Sequence, residues 1–390
     1  IIYLINHSTR KLFNEIRKLP HSTQSQKEAP MKKKGLFGIS VVLVCALLIV
    51  LTAPVDGLCQ DKKVYKLKFA WNDIWGPKFR ASQIYRPGGE MQRMLYERSN
   101  GRIQLEIISR MFPTGDLFVA VAKGKADMAD VAMPWLSGTY PIWSWGEIPG
   151  IVSEDPVEGL AEELAIYQDS EVMKIYDETM KKYNLKFWFV TQWDAANGIW
   201  SKKDVTKLDD LNGMKIRVGG YLPTQGIKAL GASPVTIAGS ELAPAMMAGT
   251  IDAVLTSLGY GYSIGLAKVS KTFTLTPLSP TWSAVTVMNL KTFNALPPDL
   301  QKVVLDVGRE LQQMVSLSTT AEYMMSLDTV DLSGVKRTRF SKEEMDVAVK
   351  ECKVVEEAWL NMDGPWKAKR AELLSAAKAA VAKYRAFTGK

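Results

Sequence analysis

Arg217 is the residue whose sequence context most favours specific chemistry. Strand alternation places it on the face opposite Ile216 and Val218, and the pair Gly219 and Gly220 then allows a sharp turn. An arginine at a strand end can hold a carboxylate through two parallel hydrogen bonds, and ligands of open α/β sheets bind at the carboxyl ends of strands. The alternative interpretation is a solvated surface arginine with no specific partner.

The elements that must position this arginine alternate between strand and helix patterns. Apolar alternation or short apolar runs predict strands at residues 65–71, 103–108, 126–133, 185–191, 251–256 and 283–288. Helical spacing predicts helices at residues 82–99, 117–123, 156–183, 241–248, 297–320, from 341 onwards and at 366–387. Alternating strands and helices predict an α/β fold.

A short pattern occurs twice along the chain. In both places a predicted helix ends at a glycine and an aspartate follows three residues later, as Gly124 with Asp127 and as Gly249 with Asp252. The echo predicts two related α/β halves. Chance similarity is the alternative, since helix–glycine–strand junctions are common in α/β chains.

The histidine and cysteine content restricts the possible chemistry. Both histidines, His7 and His21, precede Met31, so a chain that starts at Met31 has none. That excludes Ser-His-Asp and Cys-His catalysis and histidine metal sites from the exported part. Cys352 is the one cysteine after residue 60, which predicts a free thiol. No metal or cofactor is expected.

The N-terminal region has the pattern of an export signal. Three lysines follow Met31, and residues 36–53 are apolar, which predicts a signal peptide at 31–57 and a periplasmic protein. An uncleaved anchor is the alternative, because membrane spans start at about 18 apolar residues. Residues 1–30 are expected to be untranslated or non-structural. Residues 1–60 hold eight Lys or Arg against three acids, so the remainder is only mildly basic and predicts no nucleic-acid partner.

Several motifs in a fixed order carry a family resemblance. They are SNGR at 99–102, PTGDL at 113–117, GKAD at 124–127, LNGMKIRV at 211–218, GASPV at 231–235, SE at 240–241, GTID at 249–252 and LPPDLQ at 296–301. Over most of residues 62–320 the chain resembles the substrate-binding proteins of tripartite ATP-independent periplasmic (TRAP) transporters, the DctP-type C4-dicarboxylate-binding family.

The resemblance implies a fold, a partner and a role for Arg217. It implies a periplasmic-binding-protein clamshell of two α/β domains, joined by crossing strands and a long helix, with the ligand in the interdomain cleft. The domains would be residues 61–189 with 284–325, and residues 190–283 with 326–390. A monomeric receptor of this kind delivers a small organic acid to the membrane permease subunits. Arg217 would pair with the ligand carboxylate.

Departures from the family pattern suggest which acid is bound. Relatives often have a second arginine near Trp200, polar contacts near Met133 and Trp135, and an aromatic residue at Gly239. The changes remove polarity, which predicts a monocarboxylate with an apolar or aromatic body. The predicted ligand contacts are Arg217, Trp135, Trp200, Asn72, Met133, Gly239, Thr256, Trp71, Trp193 and Trp282, with Trp75 a further candidate. Ordinary core packing is the alternative for each tryptophan.

Two other functions fit the same sequence. A ligand sensor that feeds a membrane kinase would use the same clamshell. An exported carboxylate-processing enzyme would need acidic pairs such as Asp127 with Asp130, yet these pairs have no activating partner in the sequence.

Overall fold

The computed structural model describes residues 63–71, 84, 87–278 and 282–389, apart from the side chains of Ser240 and Trp282. The predicted signal peptide and the extension before it lie outside these residues, as do Asn72 and Trp75. Residues Lys62–Lys390 form one compact unit. None of the helices in the described ranges has both the length and the apolar character needed to cross a bilayer.

Five strands form the first sheet. They are β1 Tyr65–Trp71, β2 Ile103–Ser109, β3 Met128–Ala132, β4 Leu185–Asp194 and β10 Trp282–Asn289, in the order β2-β1-β3-β10-β4. β1 runs parallel to β2 and β3, whereas β10 runs antiparallel to β3 and β4. Every residue of β3 is buried, as expected for a strand whose two faces are both covered.

Six short strands form the second sheet. They are β5 Asn197–Ser201, β6 Lys215–Arg217, β7 Ser233–Val235, β8 Ala253–Ser257, β9 Thr272–Leu275 and β11 Lys336–Arg339, in the order β11-β9-β5-β8-β6-β7. β6 is parallel to both of its neighbours, β7 and β8. β5 pairs antiparallel with β8 and β9.

The chain crosses between the sheets at Ala195 and Ala196, which separate β4 from β5. The buried carboxylate of Asp194 fixes this crossing, because it accepts hydrogen bonds from the backbone N–H of Ala195 at 2.8 Å and of Gly259 at 3.0 Å. The crossing strand predicted at 185–191 is therefore present and continues to Asp194. The predicted domain limits at residues 189, 283 and 325 stay predictions, since strand pairing does not define how domains move.

Helices cover the two sheets. The described α-helices are α1 Glu90–Arg98, α2 Leu117–Ala122, α3 Pro156–Gln168, α4 Ser170–Lys181, α5 Tyr221–Ala229, α6 Leu242–Met247, α7 Leu258–Ser263, α8 Leu290–Ala295, α9 Pro298–Leu332, α10 Lys342–Glu351, α11 Lys353–Asn361 and α12 Lys367–Thr388. The capping box predicted at Ser341 is present, because its hydroxyl accepts from the N–H of Glu344 at 3.2 Å.

Two helices differ from the sequence prediction. The single helix predicted over 156–183 is two helices, because the Asp169 side chain accepts from the N–H groups of Glu171 and Val172 and so begins α4. The helix predicted to end near residue 320 continues to Leu332. No glycine or proline lies between residue 320 and Gly334, whose φ is 83°.

Candidate functional site

A pocket of about 380 Å³, open solvent at its mouth included, lies where strands of both sheets end. Its lining combines a cation, an acid and neutral polar groups with apolar walls. The lining residues are Pro134, Glu147, Asn197, Arg217, Gly219, Pro223, Leu255 and Thr256. Pro134 follows β3 of the first sheet, whereas Arg217 ends β6 of the second. The pocket therefore has the position and the mixed lining of a small-molecule site.

Arg217 is the cationic group of this pocket. β6 pairs it with Val235 of β7 and Val254 of β8, so two neighbouring strands hold its backbone. Its Nε donates to the carbonyl oxygen of Ile237 at 3.1 Å, which orients the guanidinium. The side chain is half-buried, and within the described part of the chain no carboxylate forms an ion pair with it. Burial lowers the pKa of Arg217, although an arginine stays charged at neutral pH.

Two glycines allow close packing near Arg217 and Tyr260. A Cβ added at Gly219 would lie 3.3 Å from Nη1 of Arg217, so a side chain there would crowd the cation. A Cβ at Gly239 would lie 2.8 Å from the hydroxyl oxygen of Tyr260, a residue of α7. Burial raises the pKa of Tyr260, and the nearby Arg217 opposes this shift. The Tyr260 hydroxyl thus occupies the space beside Gly239.

Two polar atoms of the pocket are buried without hydrogen-bond partners among the described residues. They are Oγ1 of Thr256 and Oε2 of Glu147. Thr256 is one of the residues predicted from the sequence, whereas Glu147 is not. Glu147 ends a 3-10 segment, Pro141–Glu147, and its burial raises the pKa of its carboxyl to about 8. One sequence signal could have revealed it, since it is the only acid between residues 131 and 153.

Trp135 and Trp193 lie together beside the pocket-lining Pro134. Their rings meet edge to face with centroids 5.9 Å apart, and Trp135 is half-buried. The Trp193 indole N–H donates to Oδ2 of Asp130 at 2.8 Å. That buried carboxylate also accepts from the hydroxyl of Thr191 at 2.9 Å, which fixes the pair of rings. These tryptophans pack next to the pocket without lining it.

Three other predicted contacts lie in the apolar core. Trp200 is 0% exposed, packs against Phe273 with centroids 5.1 Å apart, and donates its N–H to the Ser257 carbonyl at 3.3 Å. The structure does not bring it to the pocket, because its ring points to the helix side of the sheet, against α7. Trp71 and Met133 are also buried, in two different apolar clusters. The side chain of Trp282 lies outside the described residues.

Among the described residues, no three His, Cys, Asp or Glu side chains are grouped so that they could hold a metal ion. Cys352 is a buried free thiol, and burial raises its pKa to about 12.

Several solved structures share this fold. The chain is similar to DctP7, a Bordetella pertussis extracytoplasmic solute receptor binding pyroglutamic acid, with a TM-score of 0.68 and 18% identity over 81% of this chain and 100% of that one. It is also similar to a TRAP periplasmic solute-binding protein from Rhodoferax ferrireducens with bound malonate, with a TM-score of 0.66 and 21% identity over 82% and 99%. A third, from Desulfovibrio salexigens with bound orotic acid, has a TM-score of 0.70 and 18% identity over 81% and 99%. The fold is thus the predicted two-domain α/β clamshell.

The family itself is shown by the sequence match. The model of DctP, bacterial extracellular solute-binding protein, family 7, matches residues 82–360, and the chain belongs to this family. The family expected from the motifs is therefore confirmed.

Curated relatives match over part of their length. A solute-binding protein of Albidiferax ferrireducens is 28% identical over 223 residues, which are 56% of this chain and 63% of that protein. One from a Sulfitobacter species is 35% identical over 147 residues, 37% of this chain and 44% of that protein. The matched stretches thus span less than two thirds of these relatives.

Proposed function

We propose that this protein is a periplasmic receptor of a TRAP transporter, which binds a small organic acid and delivers it to the membrane permease subunits. The observation that carries the proposal is Arg217, a half-buried cation that faces a pocket and has no carboxylate partner in the described ranges. A buried charge without a counter-ion is destabilising, so the site favours an anion. The receptors of similar fold whose bound molecules are pyroglutamic acid, malonate and orotic acid support a carboxylate.

The proposed ligand is a monocarboxylate with a largely apolar or aromatic body. Arg217 binds the carboxylate, and the apolar walls come from Pro134, Pro223 and Leu255. Within the described chain the pocket has one cationic side chain, so a second carboxylate would have no matching charge. Thr256 offers a hydroxyl without a protein partner. The family is one of solute-binding proteins, which favours binding and release over an enzymatic reaction.

A thermal-shift screen tests this proposal. Purified protein is heated with compact aromatic or apolar monocarboxylates, and in parallel with succinate, malate and the buffer salts alone. A ligand at 100 times its Kd stabilises the native state by about 2.7 kcal/mol, so the melting temperature should rise for the monocarboxylates. If succinate or malate raises it and no monocarboxylate does, the proposed ligand class is wrong.

A further inference from the structure

Glu147 is an acid of the pocket that carboxylate binding leaves unexplained. It is 5% exposed, it lines the pocket, and its Oε2 has no hydrogen-bond partner in the described part of the chain. The segment that carries it is pinned by two buried indoles. Trp143 donates to the hydroxyl of Thr179 at 3.1 Å, and Trp145 donates to that of Tyr176 at 2.9 Å. These hydrogen bonds hold the segment that carries the carboxyl against α4.

The opposite wall also leaves room for this carboxyl. A Cβ added at Gly220 would lie 3.2 Å from Oε1 of Glu147, so a side chain there would press on the acid. Gly220 directly precedes α5, whose residue Pro223 lines the same pocket. Glu147 and Arg217 form no ion pair with each other, and both are thus available to a bound molecule.

The chemistry of a buried carboxyl group determines which group of a ligand can bind next to it. A buried acceptor left without a donor costs about 1–3 kcal/mol, so a wholly apolar ligand would leave that penalty in place. A second ligand carboxylate would bring two acids together, and one of them would have to stay protonated. An N–H group avoids both penalties, because a carboxyl oxygen accepts its hydrogen bond in either protonation state.

We propose that Glu147 accepts a hydrogen bond from a nitrogen of the ligand, so that the receptor selects small carboxylic acids that carry an N–H donor on an otherwise apolar body. This inference rests on the proposed function and deepens it. The donor is either a neutral N–H, as in a lactam, or a charged amine. Thr256, whose Oγ1 is also buried without a partner, lines the same pocket and can complete the recognition of a polar edge.

Matched ligand pairs test the inference on the unaltered protein. Calorimetric titration compares 5-oxoproline with its lactone analogue, 5-oxotetrahydrofuran-2-carboxylate, and proline with tetrahydrofuran-2-carboxylate. The first pair differs only in a neutral N–H against oxygen, and the second differs in a charged NH2+ group against oxygen. At least one N–H acid should bind about tenfold or more tightly than its oxygen analogue, the range of one hydrogen bond to an ionisable group. Equal binding within both pairs overturns the inference and leaves the proposed function standing.

Variants assign the preference to Glu147. Glu147→Met, which removes the acceptor, should reduce the preference to less than about threefold. Glu147→Gln keeps a carbonyl acceptor without the charge, so it should retain the preference for a lactam and lose that for an amine. The control, Glu106→Met, changes an exposed acid of β2 and should alter nothing. A preference that persists in Glu147→Met overturns the assignment, and binding of no acid by the unaltered protein overturns both proposals.

Discussion

The two halves of the molecule, each built around one of the sheets, share a hydrogen-bonded junction. In each, a glycine with left-handed φ, 70° at Gly124 and 74° at Gly249, precedes an aspartate by three residues. Oδ2 of Asp127 accepts from the N–H of Lys68 in β1 at 2.8 Å, and Oδ2 of Asp252 accepts from that of Lys215 in β6 at 2.9 Å. Each aspartate also donates its own N–H to the carbonyl of the same lysine at 2.9 Å. The echo seen in the sequence is therefore a repeated hydrogen-bonded junction.

The two halves carry different residues at the position two residues after the junction lysine, which is Lys68 in β1 and Lys215 in β6. In β1 that position is Ala70, which is 1% exposed, and in β6 it is Arg217. Pro134, just after β3, gives the pocket an apolar wall, whereas Thr256 of β8 brings a hydroxyl. The same junction thus precedes apolar residues in the first half and a cation and a hydroxyl in the second. The repeated scaffold positions the strand ends that line the pocket, and the departure from the repeat at Arg217 supports the proposed role of this residue.

A second shared feature predicts a loss of stability when its glycines are replaced. Trp188 donates to the Val304 carbonyl in the first half, as Trp200 does to that of Ser257 in the second. In both, a helical glycine four residues after the carbonyl makes room for the indole. A Cβ at Gly308 would lie 2.3 Å from the Trp188 Nε1, and one at Gly261 would lie 2.2 Å from that of Trp200.

Gly308→Ala and Gly261→Ala should each lower the free energy of unfolding by about 1–3 kcal/mol, the usual effect of overpacking a core. Urea unfolding measures both. Gly138→Ala is the control, since a Cβ there has no atom within 4 Å. A loss in only one half would show that the two indole sites are not equivalent.

The pocket acid should make stability depend on pH. The folded-state pKa of Glu147 is about 8 against an ordinary 4.5, so between these values the folded state holds a proton that the unfolded state has lost. The free energy of unfolding of the unaltered protein should therefore fall, relative to Glu147→Gln, by up to about 1.4 kcal/mol per unit as pH rises from 5 to 8. Parallel curves for the two proteins would contradict the buried state of this carboxyl.

The shared junction should give the smallest and most even effect. Asp127→Ala and Asp252→Ala each remove an acceptor of a backbone N–H and should lower the free energy of unfolding by about 1 kcal/mol. The exposed Asp209→Ala is the control. Chemical denaturation of the three variants provides the measurement. If one junction variant were as stable as the control, the two junctions would not contribute equally to the free energy of unfolding.

Some of the site could be predicted from the sequence and some could not. Strand alternation and the two glycines that follow place Arg217 at a strand end, which is a local feature, whereas its role as the ligand cation is implied by the family resemblance. The position of Trp200 could not be predicted. Alternation separates the two faces of a strand without showing which face packs against a helix. Glu147 lies in a 3-10 segment with no motif. Trp143 and Trp145 of the same segment hydrogen-bond to α4, a contact between distant parts of the chain that the local sequence does not show.

The most direct test of the account is calorimetric titration of Arg217→Ala with the acid that most raises the melting temperature in the screen. Removing the only cation that lines the described pocket should weaken binding by about a hundredfold or more, whereas Lys215→Ala, an exposed change in the same strand, should leave binding within about threefold. Arg217→Lys keeps the charge without the planar fork and should fall between the two. Undiminished affinity in Arg217→Ala would contradict the account.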